Sequence, residues 1–270
     1  MSQEPSLKES PTLFFASHNP DALTTIILLH GLTGSHHGWA PIIPHLSTYH
    51  LLVPDLPSHS GSAHIQPFSI PSTTELLASL IRTHAHGGKA HVVGLSLGGY
   101  IGRNLAQTHP EVVSSLFASG AVSRRAEGWL ANNRLLSTLY VVPNVALSVR
   151  AYCAAARWMG LTYMDREMAV ELKRNSNTTL VQQGFGEIGK VRNDVESTVR
   201  TLVVAGGKQD FVEGAKELGS VLKRGNRESK ACVVDEAIHC WSLQTPELFA
   251  RAVQTWIEGH DLPEELKELH

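Results

Sequence analysis

Short apolar runs alternate with longer amphipathic segments along most of the chain. Runs such as Thr25-Ile26-Ile27-Leu28-Leu29 and Leu51-Leu52-Val53 offer no polar face. A strand of that kind is covered on both sides, as in a parallel sheet between two layers of helices. Further strands are predicted at 91–93, 113–122, 201–205 and 231–234. The segments between them read as helices. One starts at about Ser72, a suitable N-cap, and runs through Leu76, Leu77, Leu80 and Ile81. Others cover 97–109, 212–223 and 246–258, the last opened by Pro246 in a first-turn position. This order predicts an α/β fold with a mostly parallel, doubly wound sheet.

The rhythm breaks between 123 and 195. That stretch has helical spacing, with Trp129, Leu135, Tyr140, Tyr152, Trp158 and Met164, and no strand-like run. It is too long for an ordinary connection. The predicted division is a core of residues 12–122 and 196–262, a helical insertion at 123–195, and tails at 1–11 and 263–270. The insertion leaves and re-enters the core at the carboxyl edge of the sheet, where pockets form in such folds. It is therefore expected to cap the mouth of a site. Trp129, Tyr140, Trp158, Met159, Tyr163 and Met164 could line an apolar cavity there or pack the insertion itself, and Arg150 and Arg157 would change its polarity if they pointed inward.

Composition narrows the functional classes. Apolar residues make up 42% and charged residues 18% of 270, which is a globular composition. A net charge of −2 gives no electrostatic reason to bind nucleic acid or an anionic membrane. No apolar run approaches a bilayer span, and residues 1–11 lack the apolar stretch of a secretory signal. Cys153, Cys232 and Cys240 have no metal-ligand spacing and suggest free thiols in a reducing, cytoplasmic setting. Fifteen histidines include the pairs His36-His37 and His84/His86, but no Cys or carboxylate stands beside either pair at ligand spacing. No metal and no cofactor is expected; the expected partner is a small-molecule substrate.

The strongest chemical signal is Gly94-Leu95-Ser96-Leu97-Gly98-Gly99, after a strand and opening a helix. That context suits a nucleophile elbow, a sharp turn holding the serine above the sheet edge. Glycines two residues to either side allow the close backbone approach. The N–H of Leu97 sits at a helix N-terminus, where an oxyanion is favoured. His30-Gly31-Leu32-Thr33-Gly34 follows the first strong strand, and Leu32 is the candidate for a second backbone donor. A serine hydroxyl needs a base. His239 lies just after the last predicted strand, on the same edge of the sheet as Ser96. Asp210, in Gly206-Gly207-Lys208-Gln209-Asp210, is placed to fix the imidazole's tautomer. A helix N-cap role for Asp210, or Glu213 or Asp235 as the acid, are the alternatives. Cys240, beside the base, reads as packing.

Five segments together resemble the α/β-hydrolase superfamily, in its esterase and lyase branch with a serine nucleophile. They are HGLTGSHHGW at 30–39, PDLPSHSGS at 54–62, GLSLGG at 94–99, AGGKQD at 205–210 and AIHCW at 237–241. The resemblance covers the core and not the insertion. It implies an α/β-hydrolase fold with a Ser96–Asp210–His239 triad. Relatives commonly carry glycine where this chain has Ser58 and Ser60, and a Cβ resists positive φ, so this loop is expected to take a different path. The expected activity is hydrolysis of a carboxylic ester or thioester of a small, largely apolar substrate through an acyl-serine. The same triad also serves carbon–carbon cleavage, elimination or acyl transfer, and small-molecule receptors of this fold retain it.

Overall fold

The computed structural model describes residues 11–122 and 132–270. Trp129 and Gly128 lie outside them. Eight strands form one sheet: β1 (Phe15–His18), β2 (Thr25–Leu29), β3 (His50–Pro54), β4 (Ala90–Leu95), β5 (Val113–Ser119), β6 (Thr201–Gly206), β7 (Lys230–Val234) and β8 (Lys267–Glu268). Their order across the sheet is β1-β3-β2-β4-β5-β6-β7-β8. The two edge strands run antiparallel to their neighbours and the pairs between them are parallel. Every residue of β2 and β3 is buried. Alternate residues point to opposite layers: Ile27, Leu29 and Leu52 join one core, and Ile26, Leu28, Leu51 and Val53 the other.

Helices α1 (Ile70–His84) and α2 (Leu97–Thr108) pack on the first face. On the second, α8 (Pro246–Glu258) buries Phe249, Val253 and Trp256. α7 (Val212–Gly225) covers β6 and β7 through Ala215, Leu218 and Leu222. Among the described residues, four helices stand between β5 and β6: α3 (Arg134–Ala146), α4 (Val149–Trp158), α5 (Arg166–Asn175) and α6 (Thr178–Ile188).

The departures from expectation have local causes. α1 begins at Ile70, not Ser72, because Ser69 is its N-cap and accepts from the Ser72 N–H. Pro71 then falls in the first turn, where a missing N–H costs nothing. β5 ends at Ser119, short of residue 122, where Gly120 turns the chain at φ +60°. Residues 263–270 are not a free tail: Lys267 and Glu268 pair with Val233 and Cys232, and Glu268 accepts from Lys223 Nζ at 2.9 Å. Ser58 and Ser60 do not divert their loop, for both adopt the positive φ of a glycine, 66° and 40°. Polar bonds offset the strain. The Ser58 hydroxyl donates to the Ile65 carbonyl, and Ser60 is bonded to Asn175 at both its N–H and its hydroxyl. Asn175, the buried last residue of α5, also donates to the Gly34 carbonyl at 2.6 Å, joining the helical insertion to the 30–34 turn.

Candidate active site

Ser96 stands between β4 and α2 with φ 53° and ψ −119°, a conformation that side-chain-bearing residues rarely adopt. Its N–H donates to the Ser119 carbonyl at 2.8 Å, and its carbonyl accepts from Gly99 and Tyr100. The flanking glycines are required by contact. A methyl group at Gly94 would lie 2.4 Å from the Gly98 oxygen, and one at Gly98 would lie 2.1 Å from the Leu29 oxygen. Strand and helix therefore close on each other only without side chains, and the serine is left at the crest.

His239 and Asp210 arrive from the loops after β7 and β6. The imidazole Nδ1 and Asp210 Oδ1 are 2.5 Å apart. The second carboxylate oxygen accepts from the Gly206 N–H at 2.7 Å, so Asp210 bends back onto its own strand and does not cap α7. The alternative acids lie elsewhere: Glu213 is exposed on α7, and Asp235 is exposed and bonded to Lys267 at 2.6 Å. Ser96, Asp210 and His239 line one cavity of about 190 Å³, together with Gln209, Phe185 and Ile188. Among the described hydrogen bonds none joins Ser96 Oγ to the imidazole; catalytic bonds are often long before substrate binds.

Three positioning features escape sequence reasoning. The Gln209 side chain accepts from the His239 N–H at 3.0 Å, fixing the His239 backbone to the loop that carries Asp210. Gln244 accepts in the same way from Ile238. Gly120 lies under the imidazole, where a Cβ would be 2.6 Å from Cε1 and 2.8 Å from Nδ1 of His239. Only a glycine directly after an apolar strand signals this last position in the sequence.

The 30–34 turn lies against the serine: a Cβ on Gly31 would stand 3.3 Å from the Ser96 Cβ. The turn's own bonds use the N–H groups of Thr33 and Gly34 rather than that of Leu32. Leu97 begins α2, so its N–H has no partner within the helix. Two buried histidines brace the turn. His30 Nδ1 donates to the Gly31 carbonyl while Nε2 accepts from Leu56 N–H. His59 Nδ1 donates to the Pro57 carbonyl while Nε2 accepts from Thr33 N–H. Each must be neutral to accept. Burial lowers both, and burial together with the neighbouring His30 takes His59 down to about 3. The unfolded chain takes up these protons near the ordinary 6.5, so the unfolded state binds more protons below that pH. Stability should be undiminished by this pair above about pH 6.5 and fall steadily towards about pH 3. Thermal unfolding of wild type and His59→Gln between pH 7 and 4 checks this, the wild type losing more on acidification; parallel pH profiles would contradict a neutral, buried His59.

Of the residues expected to line a cavity, Met164 does, beside Met168 and Leu172. Phe185 and Ile188 of α6 line the cavity that holds Ser96, and Gly184 packs against Leu32. Trp158 is 88% exposed, and Met159 and Tyr163 are also on the surface. Arg150 and Arg157 are exposed, with Arg157 Nε bonded to the Met164 carbonyl. His36, one of the histidine pair, holds the buried Asp55 at 2.9 Å. All three cysteines are free thiols; Cys153 and Cys232 are buried.

A family model for the alpha/beta hydrolase fold matches residues 24–157. An AB hydrolase superfamily protein of Gibberella zeae is 34% identical over 261 residues, covering 94% of this chain and 86% of that protein. The chain belongs to the α/β-hydrolase superfamily. A pimeloyl-acyl-carrier-protein methyl ester esterase of Neisseria meningitidis is 25% identical over 89% of this α/β hydrolase and 78% of its own length. Among solved structures, a putative non-heme bromoperoxidase, BpoC of Mycobacterium tuberculosis, superposes with a TM-score of 0.73 at 18% identity, covering 95% of this chain and 99% of its own. That last likeness is one of fold.

Proposed function

We propose that this α/β hydrolase cleaves a carboxylic ester or thioester of a small, largely apolar substrate through an acyl-Ser96 intermediate. The observation that carries the reading is a strained serine sharing a cavity with a hydrogen-bonded His239–Asp210 pair. In this reading Asp210 keeps the proton on Nδ1, leaving Nε2 free to take the proton of Ser96 Oγ. Oγ bonds to the substrate carbonyl carbon, and the carbonyl oxygen becomes an oxyanion facing the N–H groups of Leu97 and Leu32. When the carbonyl re-forms, the bond to the leaving oxygen or sulfur breaks and the Nε2 proton goes to that atom. Water, activated by the same imidazole, then releases the acid and regenerates Ser96. The helices between residues 134 and 188 serve as a cap, with Phe185 and Ile188 excluding water from the acyl-enzyme. The esterase named for the Neisseria relative supports ester chemistry.

The test is a fluorophosphonate probe with intact-mass readout, alongside p-nitrophenyl esters of increasing chain length. One adduct on the peptide holding Ser96 and turnover of the esters are expected. A folded protein that takes up no probe and hydrolyses no ester would refute the proposal.

Gly120→Ala should lower kcat by about 100-fold, because the added methyl group displaces the imidazole by a few tenths of an ångström or more. Its effect on KM should be small, since Gly120 lies on the imidazole side of the site. Steady-state kinetics on one ester, normalised to sites titrated with a fluorophosphonate, distinguish this from a general loss of fold, which would lower the titrated fraction instead.

A further inference from the structure

A second cavity, of about 100 Å³, is lined by residues next to Ser96 and His239 in the chain. Three segments of the candidate machinery contribute to it: Gly31 and Leu32 from the 30–34 turn, Leu95 beside Ser96, and Cys240 beside His239. Gly31 brings the cavity up to the nucleophile, for a Cβ there would lie 3.9 Å from Ser96 Oγ. The opposite wall comes from α5 and the loops before it and after β7, through Met164, Met168, Leu172 and Leu243. Met164 and Met168 are buried and belong to a small apolar cluster of their own, separate from the main cores. Among the described residues no Asp, Glu, Lys or Arg lines this cavity, and His30, which does, has both ring nitrogens engaged.

The first cavity differs in kind. It contains His239, Asp210 and Gln209. A leaving atom must receive its proton from the imidazole, so the leaving group has to occupy the side on which His239 lies. The carbonyl oxygen is directed to the backbone donors. The remaining substituent of the carbonyl carbon, the acyl chain, then has the apolar second cavity left to it.

We infer that the cavity walled by Met164, Met168, Leu172 and Leu243 is the acyl pocket, and that it makes this enzyme selective for short, unbranched, uncharged acyl groups. The inference rests on the acyl-serine reading above. Size sets the limit: an engineered protein cavity of about 150 Å³ takes one benzene, so 100 Å³ holds an alkyl tail of about three or four carbons. The two methionines of that wall suit such a tail, because methionine adapts to chains of different shape. Each methylene that fits raises kcat/KM by about fourfold, and a carbon beyond the wall gains nothing and forces the chain out.

The experiment measures kcat/KM for p-nitrophenyl acetate, butyrate, hexanoate and octanoate with wild type, Met168→Ala and Leu172→Trp, each first titrated with a fluorophosphonate to count folded, reactive sites. Wild type should favour butyrate over acetate by about 15-fold and over octanoate by about tenfold or more. Met168→Ala should move the optimum to hexanoate or longer. Leu172→Trp, at a half-buried position that leaves room for the larger ring, should lower the butyrate-to-acetate ratio by about tenfold. Phe185→Ala, in the first cavity, should change the preference between methyl and p-nitrophenyl butyrate and leave the order of acyl chains as in wild type. If all proteins titrate fully and the order of chain lengths is the same in every one, the pocket is misassigned while the acyl-serine reading stands. If wild type neither titrates nor turns over any ester, that reading falls and the pocket with it.

Discussion

Ser96→Ala should lose all fluorophosphonate labelling and lower kcat by about 10⁴- to 10⁶-fold on any ester the wild type hydrolyses. The size of the effect follows from the proposed chemistry. Without Oγ no covalent intermediate forms, and the residual rate comes from bound water and the two backbone donors alone. The backbone adds a second, independent signature. At φ 53° and ψ −119° a Cβ is strained by about 1–3 kcal/mol, and alanine keeps that strain. Ser96→Ala should therefore unfold within about 1 kcal/mol of wild type, which separates lost chemistry from lost structure. Ser96→Gly should be equally inactive yet more stable, by about 0.5–2 kcal/mol after the entropy of the more flexible unfolded chain is deducted. Denaturant titrations of the two variants measure this. An inactive glycine variant less stable than the alanine one would mean that the elbow stores no strain, and a fully active alanine variant would place the nucleophile elsewhere.

Asp210→Asn should cost about 10⁴-fold in kcat with KM nearly unchanged. The reason lies in the two bonds the carboxylate makes at once. Both Gly206 N–H and the protonated Nδ1 of His239 donate to it, at 2.7 Å and 2.5 Å. An amide has one acceptor oxygen. If that oxygen faces Gly206, the amide nitrogen faces the imidazole and donates to Nδ1, which moves the ring proton to Nε2. A protonated Nε2 cannot accept the serine proton. If the amide flips, its nitrogen opposes the Gly206 N–H and a buried donor loses its partner. The second arrangement keeps the tautomer but loses that bond, so the first is favoured and the base is wrongly prepared while the substrate surfaces are untouched. Glu213→Gln and Asp235→Asn should change kcat less than about threefold, since both side chains are exposed and Asp235 binds Lys267. Kinetics on the three variants decide the matter: a harmless Asp210→Asn beside a crippled Glu213 or Asp235 variant would reassign the acid.

Local pattern carried the architecture because each parallel strand is buried on both faces and so reads as an unbroken apolar run, as at 26–29 and 51–53. The same holds for the elbow. Gly94 must clear Gly98, four residues on, a constraint that the short motif contains, while Gly98 must clear Leu29 of the neighbouring strand. Ser96, Asp210 and His239 could be named together since each follows a strand at the same edge of one sheet.

The remainder depends on residues far apart in the chain. β1 and β8 are short, half-exposed edge strands defined by their partners, and their own sequences show no buried face. Ser58 and Ser60 show the limit of reading backbone from residue type. A Cβ disfavours positive φ, yet a hydrogen bond from Ser58 to Ile65 and the side chain of Asn175, 115 positions beyond Ser60, hold both serines in it. The aromatic residues at 158 and 163 have helical spacing but face water, and Phe185, Ile188, Met164 and Met168 line the cavities instead. Spacing defines the faces of a helix; which face meets the sheet edge is decided by how the helices of the insertion dock on one another and on the 30–34 turn. Period and short motifs specify the doubly wound α/β core and the sheet edge at which Ser96, Asp210 and His239 gather. The positions of Gly120 and Gln209 around the imidazole and the lining of the two cavities follow from docking, because each is a contact between segments that the chain brings together from a distance.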